Sequence, residues 1–482
     1  MEKNDLTLII EEKRDFFIEL SDKIWDYAET AFDEFKSTEL LCSALENEDF
    51  AVEQSVAEID TAFCGSWGEG SPVIAFLGEY DALSGLSQQG GVAEKISLVP
   101  GANGQGCGHN NLGVGALAAA VAVKEYLKKT GLSGTVRYYG CPGEEGGSGK
   151  AFMARKGIFD DVDVALTWHP GSVNAASPFS SLANYQVAYR FKGVSAHAAS
   201  CPHLGRSALD AVELMNVGVN FLREHIIPEA RVHYAITDSG GFSPNVVQPK
   251  AEVLYLLRAP TTPQVEEIYR RVNKIAEGAA LMTETQLEID FIKACANVVP
   301  NNIIEETLYR NFLELGVPDY SPEDREFAKK IFDQIAPSAR SSDLDIFCAP
   351  GGKEGAEAAK RLRERPLADE VLPYGPSTIV RPGSTDVGDV SWIVPTGQIR
   401  VGTWPNHTPG HSWQVVSAGV TPLAHKGMLH AGKVLAATAV DFLNDPALIV
   451  TSKAELKDRL DGAVYKSAIP DGVKPRPLTT RG

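Results

Sequence analysis

The stretch TVRYYGC at Thr135–Cys141 is followed directly by PGEEGG at Pro142–Gly147. A short run of β-branched and aromatic residues that ends at Gly and Pro predicts a strand followed by a turn. Similar runs at Val73–Leu77 and Val164–Trp168 also end at polar residues, and Ala116–Leu127 is predicted to be an Ala-rich helix. Strands that alternate with helices are typical of a doubly wound α/β sheet. We therefore expect several loops to meet at the carboxyl edge of one sheet, where such sheets bind ligands.

A second pattern begins near Asn184. Apolar residues alternate along Tyr185–Phe191, and a helix, two strands, a helix and a strand are predicted at Ala208–Leu222, Arg231–Ile236, Glu252–Leu257, Val265–Ala279 and Leu287–Phe291. This order predicts a ferredoxin-like α+β unit inserted in the larger domain. We thus expect a catalytic domain of residues 1–184 and 298–482, with an inserted domain of residues 185–297.

The last third of the chain is less regular. Residues 338–376 are polar and carry no assignable pattern. An apolar helix at Leu423–Phe442 is expected to close the fold, and the Pro-rich tail after Lys466 is expected to be irregular.

Composition excludes several classes of protein. The chain has 482 residues, of which 44% are hydrophobic, so a disordered or fibrous protein is excluded. Its net charge of −18 argues against nucleic acid as a partner. No apolar stretch reaches the roughly 18 residues that span a bilayer, and no secretory apolar segment is present. Seven scattered cysteines without a Cys-x-x-Cys pair fit a reducing compartment. We expect a cytoplasmic protein without a membrane partner.

The loop GCGHN at Gly106–Asn110 opens the Ala-rich helix. A nucleotide-binding loop is disfavoured, because Asn111 stands where a third glycine belongs and no Gly-Lys-Ser/Thr follows. Cys107 and His109 offer a thiolate and an imidazole, which are both good zinc ligands. A single pair of this kind is more often structural than metal-binding.

Further candidates lie at predicted strand ends or late in the chain, namely Asp81, Glu144, Glu145, His169 and His411. Adjacent carboxylates can divide the labour, one as metal ligand and the other as general base. Asp81 could orient a metal-binding imidazole or cap a turn. Each residue alone would more often be a solvated turn or a packed histidine, but together they predict a metal site.

Six motifs in order carry a resemblance to a known family: GEYDAL at Gly78–Leu83, GCGH at Gly106–His109, EEGG at Glu144–Gly147, His169, AHAA at Ala196–Ala199 and NVV at Asn245–Val247. They resemble the dinuclear zinc aminoacylase/carboxypeptidase family, in particular its Cys-Gly-His branch of hippurate and auxin-conjugate hydrolases. The stretches Gly140–Lys150, His203–Asp210 and Ser384–Trp392 are similar to one particular hydrolase of that family. The match covers most of the chain.

The resemblance implies a complete set of site residues. Two divalent metal ions, zinc or alternatively manganese, would be bridged by Cys107, and the other ligands would be His109, Glu145, His169 and His411. Glu144 would be the general base, and Asp81 would support it. The inserted domain would act as lid and dimer contact. The oxyanion and the substrate carboxylate would be bound by His197, Asn245, Arg258 and Ser384.

Two positions depart from the family pattern. Glu79 and Tyr80 stand where many relatives have a metal-binding histidine, so that ligand is absent. His407, four residues before His411, leaves the choice of the last histidine ligand open.

The resemblance implies a metal-dependent amidohydrolase that cleaves an N-acyl or aroyl amino acid or a dipeptide beside its carboxylate. The chain would form a homodimer or a heteromer with a homologous subunit. The alternative is a weakly active metal-binding subunit of a heteromeric hydrolase. A nucleotide-dependent enzyme on the same α/β sheet lacks its phosphate motif.

Overall fold

Two β-sheets and the helices around them organise the chain, and the computed structural model describes residues 3–340 and 342–477. In this part of the chain the strands are β1 Ala51–Gln54, β2 Phe63–Glu69, β3 Val73–Gly78, β4 Gly134–Gly140, β5 Val164–Gly171, β6 Ala175–Ala176, β7 Ser180–Ser181, β8 Ala183–Lys192, β9 Arg231–Asp238, β10 Lys250–Ala259, β11 Gln286–Cys295, β12 Val380–Arg381 and β13 Thr396–Gly402. The α-helices are α1 Lys3–Glu12, α2 Arg14–Tyr27, α3 Phe35–Asn47, α4 His109–Thr130, α5 Gly149–Arg155, α6 Ala208–Leu222, α7 Thr262–Thr283, α8 Asn302–Leu315, α9 Pro322–Phe332, α10 Ser342–Cys348, α11 Gly352–Leu362, α12 Val387–Ser391, α13 Trp413–Ala418, α14 Pro422–Asn444 and α15 Pro446–Leu460.

The larger sheet has the strand order β1-β2-β4-β3-β5-β13-β6. The four central strands β4, β3, β5 and β13 are parallel, whereas β1, β2 and β6 pair antiparallel at the two edges. Every residue of β3 is buried. Ile74 and Phe76 pack into one apolar core and Ala75 and Leu77 into another, so both faces of the sheet are covered. The predicted α/β architecture is confirmed, with antiparallel edges added.

The smaller sheet has the order β11-β8-β10-β9, and all its pairs are antiparallel. This is the fourth-first-third-second order of a ferredoxin-like unit, and α6 and α7 contact its strands. The predicted insertion of an α+β unit is therefore confirmed. Its strands run from Ala183 to Cys295.

Two chain segments connect the smaller sheet to the larger one, and side-chain hydrogen bonds hold them together. Ser180 Oγ donates to Val298 O at 2.8 Å, and Val298 N donates to Ser181 Oγ at 3.1 Å. The stretch Ser384–Trp392 contains α12 and anchors the returning segment, because Ala296 N donates to Asp389 Oδ2 at 2.9 Å. This part of the quoted motif therefore has a structural role.

Several elements differ from the sequence-based expectations. The helix expected to close the fold is α14, but α15 follows it directly after a break at Asp445, so the expectation was wrong. The stretch 338–376 contains α10 and α11. After Lys466 the described residues form neither helix nor strand, as expected, and residues 478–482 lie outside the described part.

No single helix in the described ranges is long and apolar enough to cross a membrane. The helices α14 and α15 meet that test only as a pair, by length and composition, and they are bent by 100° where they join.

Candidate metal centre and active-site cavity

A cavity of about 440 Å³ opens at the carboxyl ends of the central parallel strands. Its size is in the range that binds small molecules. The loops after β4 and β13, together with the end of β5 and the residues before α4, bring the candidate side chains to its wall: Cys107, Glu144, Glu145, His169 and His411. The predicted carboxyl edge of the sheet is thus where these groups meet.

Gly108 determines how Cys107 and His109 enter this edge. Its φ of 75° lies in the left-handed region, and a Cβ there would be 3.0 Å from side-chain atoms of Pro170 and Trp404. Only glycine fits such a position without strain. The chain turns sharply here, so that partly buried Cys107 and fully buried His109 both face the site at the start of α4.

Two groups of potential metal ligands share the Cys107 thiol. One consists of Cys107, His109 and His169, the other of Cys107, Glu145 and His411, and within each group the ligand atoms lie within 4.8 Å of one another. Cys107 Sγ is 3.5 Å from His169 Nε2, and Glu145 Oε1 is 3.0 Å from His411 Nε2. Ligands of one tetrahedral zinc are about 3.3–3.6 Å apart, given the usual bond lengths. A shared thiol between two such groups fits a pair of metal ions.

The hydrogen bonding around these groups also fits metal binding. His109 Nε2 and Glu145 Oε1 are buried and have no hydrogen-bond partner among the described residues. Buried polar atoms left in this way require an explanation, and a bound cation supplies one. Burial would raise the pKa of Glu145, but the nearby imidazoles of His411 and His109 lower it to about 2.

Asp81 lies behind the ligands rather than among them. Its Oδ1 is 2.9 Å from His109 Nδ1, and its Oδ2 accepts a hydrogen bond from Glu145 N at 2.9 Å. A carboxylate on one imidazole nitrogen directs the other nitrogen towards a metal. Asp81 therefore orients His109 and fixes the backbone of Glu145.

Glu144 is partly buried beside this cluster and lines the cavity. Burial and the negative charges of Glu79 and Glu145 raise the pKa of Glu144 well above its usual range. A carboxyl group with a raised proton affinity suits proton transfer near neutral pH. Glu144 and Glu145 thus have opposite electrostatic environments although they are neighbours in sequence.

The structure also distinguishes between the two late histidines. His407 is buried, and its Nε2 donates to Arg363 O at 2.9 Å. His411 instead lines the cavity and faces Glu145. His411 is thus the histidine that the fold brings to the candidate metal centre.

The expected substrate-binding residues do not all meet in one chain. Arg258 Nη1 donates to Ser384 Oγ at 3.0 Å, and both residues line the cavity. His197 and Asn245 are exposed on the inserted unit, next to each other, and neither lines the cavity. His197 Nδ1 accepts hydrogen bonds from the backbone amides of Ala199 and Ser200 at 3.1 and 3.2 Å.

Sequence analysis missed a buried charge cluster behind the ligands. Lys150 Nζ donates to Glu79 Oε1 at 2.6 Å and to Asp386 Oδ1 at 2.7 Å. Glu79 Oε2 lies 3.2 Å from His109 Nε2, so position 79 does present a carboxylate to the site. One signal was available: Lys150 is the single charged residue in the GKAFMA stretch that begins α5.

Comparison with known proteins identifies the family. Residues 181–283 match the peptidase dimerisation domain of the M20 family. The chain is 53% identical to one of the two kinds of subunit of p-aminobenzoyl-glutamate hydrolase from Escherichia coli (strain K12), over 97% of this chain and 98% of that protein. The chain belongs to the M20 peptidase family. Members of this family are metal-dependent hydrolases of peptide and amide bonds, so the chain is an enzyme of that class.

Solved structures of M20 relatives share the fold. An aminobenzoyl-glutamate utilization protein from Klebsiella pneumoniae aligns with a TM-score of 0.54 and 16% identity, covering 87% of this chain and 96% of that one. A dinuclear metal-binding M20 peptidase from Bacillus subtilis aligns with a TM-score of 0.55 and 17% identity, covering 90% and 99%. The M20 architecture of a catalytic α/β domain with an inserted α+β unit therefore extends over nearly the whole chain.

Proposed function

We propose that the chain is a two-metal amidohydrolase that cleaves p-aminobenzoyl-glutamate or a similar N-acyl or aroyl amino acid. The observation that carries this proposal is the pair of ligand groups that share Cys107 in one cavity with Glu144. The choice of substrate is supported by the relative that is 53% identical.

Cys107, His109 and His169 would hold one ion, and Cys107, Glu145 and His411 the other. Thiolate and imidazole ligands favour zinc, with manganese as the alternative. Two divalent ions, when bound, polarise a carbonyl oxygen and make a bound water acidic enough to react at neutral pH.

The residues around the ions would position the substrate and move the proton. The Glu144 carboxylate would take a proton from the attacking water and deliver it to the leaving nitrogen. Arg258 would bind the carboxylate beside the scissile amide, because a guanidinium grips a carboxylate through two parallel hydrogen bonds. His197 would donate to the oxyanion: its Nδ1 accepts two backbone amides, so its proton is on Nε2.

The same proposal covers domain organisation and assembly. Residues 185–297 would form a lid and dimer contact on a catalytic domain of residues 1–184 and 298–482. The partner would be a second copy or a homologous subunit. A cytoplasmic location is supported by the seven cysteines, which are all unpaired in the structure.

A second candidate function is that of a weakly active partner subunit. It is favoured by the similar Escherichia coli protein, which is one subunit of a hydrolase that also has a second, different subunit. The complete set of cysteine, histidine and glutamate ligands together with Glu144 supports activity in this chain itself.

The purified single chain tests the proposal. We expect it to hold about two divalent ions, to release p-aminobenzoate from p-aminobenzoyl-glutamate, and to lose this activity when a chelator removes the metal. Glu144→Gln should keep its metal and lose turnover by about 10²–10⁴-fold, as is typical of general-base removal. Glu145→Gln should lose metal instead.

Three results would contradict parts of this assignment. A chain that carries two ions but cleaves no acyl amino acid would favour the partner-subunit alternative. Loss of metal in Glu144→Gln with retention in Glu145→Gln would reverse the two roles. Full activity in the metal-free protein would remove the two-metal mechanism.

A further inference from the structure

Two arginines lie together in the wall of the cavity beyond His169. Arg381 ends strand β12, and Arg400 lies on β13 directly opposite His169 in the parallel register. Both guanidinium groups lie over the ring of Phe347, at 5.0 Å for Arg381 and 5.8 Å for Arg400. Both residues line the cavity. The metal centre thus has a cluster of positive charge beside it.

The positive charges of this pair are incompletely neutralised. Arg381 contacts one carboxylate, that of Asp343, at a long distance of 3.4 Å. Arg400 donates to Pro170 O at 3.0 Å, and its buried Nε has no hydrogen-bond partner. Among the described residues no carboxylate oxygen lies within 4.0 Å of the Arg400 guanidinium. The two guanidiniums therefore share a single distant counter-charge.

The electrostatic environment agrees with this geometry. Burial and the neighbouring charge of Arg400 lower the pKa of Arg381 to about 10, although Asp343 opposes the effect. Both arginines remain protonated near neutral pH, so repulsion between them is retained in the folded protein.

Arginines with a structural role in this chain look different. Arg190 pairs with three carboxylates, those of Glu252, Glu288 and Asp290, at 2.5–3.0 Å. Arg340 stacks on Phe332 much as Arg381 stacks on Phe347, but it pairs with Glu364 at 2.9 Å and does not line the cavity. Arg381 and Arg400 therefore have unused binding capacity that faces the substrate space.

We propose that Arg381 and Arg400 bind a second carboxylate of the substrate, so that the enzyme selects N-acyl derivatives of dicarboxylic amino acids. This inference rests on the proposed amidohydrolase function, in which Arg258 binds the first carboxylate. Two guanidiniums on one side of a cavity can form bidentate, charge-assisted hydrogen bonds with a carboxylate. The weakly held Asp343, whose side chain is 43% exposed, is the group that this carboxylate would displace.

The spacing of the two proposed carboxylate sites suits a small dicarboxylate. Arg258 is bonded to Ser384, which is three residues after Arg381 along the chain. A segment of this length spans at most about 10 Å. An amino acid with carboxylates at both ends of a short aliphatic side chain can therefore bridge the two arginine positions.

Two substrates that differ in one group provide the test. In p-aminobenzoyl-glutamine an amide replaces the side-chain carboxylate of p-aminobenzoyl-glutamate with little change in size. We expect wild type to cleave the glutamate compound with a kcat/KM about 10- to 100-fold higher, the range expected for hydrogen bonds to a charged group. In Arg381→Gln the kcat/KM for the glutamate compound should fall by a similar factor, mainly through KM, while that for the glutamine compound stays unchanged.

Arg381 is the better position to change, because Arg400 Nη1 lies 2.9 Å from the expected metal ligand His169. Arg340→Gln is the matched control, and its preference between the two substrates should equal that of wild type. Asp343→Asn should increase the preference for the glutamate compound, because it removes the competing carboxylate. If Arg381→Gln fails to fold, Arg381→Lys keeps the charge, loses the bidentate geometry and should lose part of the preference.

The remaining outcomes separate this inference from the proposed function. Equal cleavage of both compounds by wild type, or equal loss on both in Arg381→Gln, would overturn the second carboxylate site but keep the amidohydrolase. If no acyl amino acid is cleaved, the proposed function fails, and calorimetry with free glutamate and glutamine on the zinc-loaded protein still tests the site. Tighter binding of glutamate that Arg381→Gln abolishes would support it; equal binding, or none, would overturn it.

Discussion

Lys150 is a fully buried charged residue whose partners come from distant parts of the chain. Burial opposes its charge, but the carboxylates of Asp386 and Glu79 raise its pKa well above the usual range. The backbone amide of Lys150 also donates to Asp386 Oδ2 at 2.9 Å. Because Glu79 in turn faces His109, Lys150 helps to fix the orientation of a carboxylate at the candidate metal centre.

Lys150→Met should therefore affect both stability and metal binding. Removing one partner of a buried ion cluster leaves its carboxylates unpaired, which we expect to lower the free energy of unfolding by about 3–5 kcal/mol. Metal affinity should fall by about 10- to 100-fold, as is typical when a group that supports a ligand is lost. Urea unfolding of the metal-free protein and a metal titration measure the two effects.

Lys124→Met is the matched control for this change. Lys124 is also buried and pairs with Glu48 and Glu125 at 3.1 and 2.9 Å, but it does not line the cavity. It should lose stability and keep its metal affinity. Wild-type metal affinity in Lys150→Met would show that Lys150 has no influence on the metal centre.

Some of these residues could be predicted from the sequence, and others could not. Cys107, Glu144 and His169 stand beside glycines or at predicted strand ends, so residue type and local position both pointed to a site. Lys150 contacts residues 71 and 236 positions away, and no local pattern contains such a contact. Arg381 and Arg400 were missed for the same reason, since only the folded sheet brings them together.

At the level of elements, the amino end of α8 contains a second unusual carboxyl group. Glu305 is buried, accepts a hydrogen bond from Asn301 N at 3.1 Å and another from the Tyr374 hydroxyl at 3.2 Å. Burial raises the pKa of Glu305 from 4.5 to about 8. The folded state therefore keeps a proton on Glu305 at pH values where the unfolded chain has released it.

This pKa shift predicts a pH-dependent stability. The folded state binds more protons than the unfolded state between pH 4.5 and about 8, so the free energy of unfolding should fall as the pH rises through that window. The contribution of one group is at most about 1.4 kcal/mol per pH unit. Glu305→Gln should flatten the fall between pH 5 and 8, as measured by denaturant unfolding. The exposed neighbour Glu306→Gln should not, and parallel curves for wild type and Glu305→Gln would refute the shift.

The strength of the apolar pattern decided which elements the sequence predicted. Strand β3 and helices α6 and α7 carry large apolar residues at regular spacing, and each lies where it was expected. Helix α11 buries mainly Gly355, Ala358, Ala359 and Leu362, whose small side chains give a weak helical pattern. Strand β12 has two residues, which is too short for any period to be detected.

At the scale of the whole molecule, the inserted unit presents a surface suited to another chain. Phe221, Val217 and Phe242 are large apolar residues that are more than half exposed. Clustered apolar exposure commonly marks a protein interface. The unit matches a peptidase dimerisation domain, and it also contains His197, which lies outside the cavity of its own chain.

These observations predict that His197 completes the active site of a partner chain. Glu144→Gln chains retain His197, and His197→Ala chains retain Glu144, so a mixed dimer would contain one site with both groups. Each variant alone should be inactive, and His197→Ala should keep its full metal content because His197 belongs to neither ligand group. Co-refolding the two variants should restore activity to about a quarter of wild type, if half of random dimers are mixed and one of their two sites is complete. Mixed dimers verified by mass that remain inactive would place the role of His197 within its own chain, whereas activity in His197→Ala alone would remove it from catalysis.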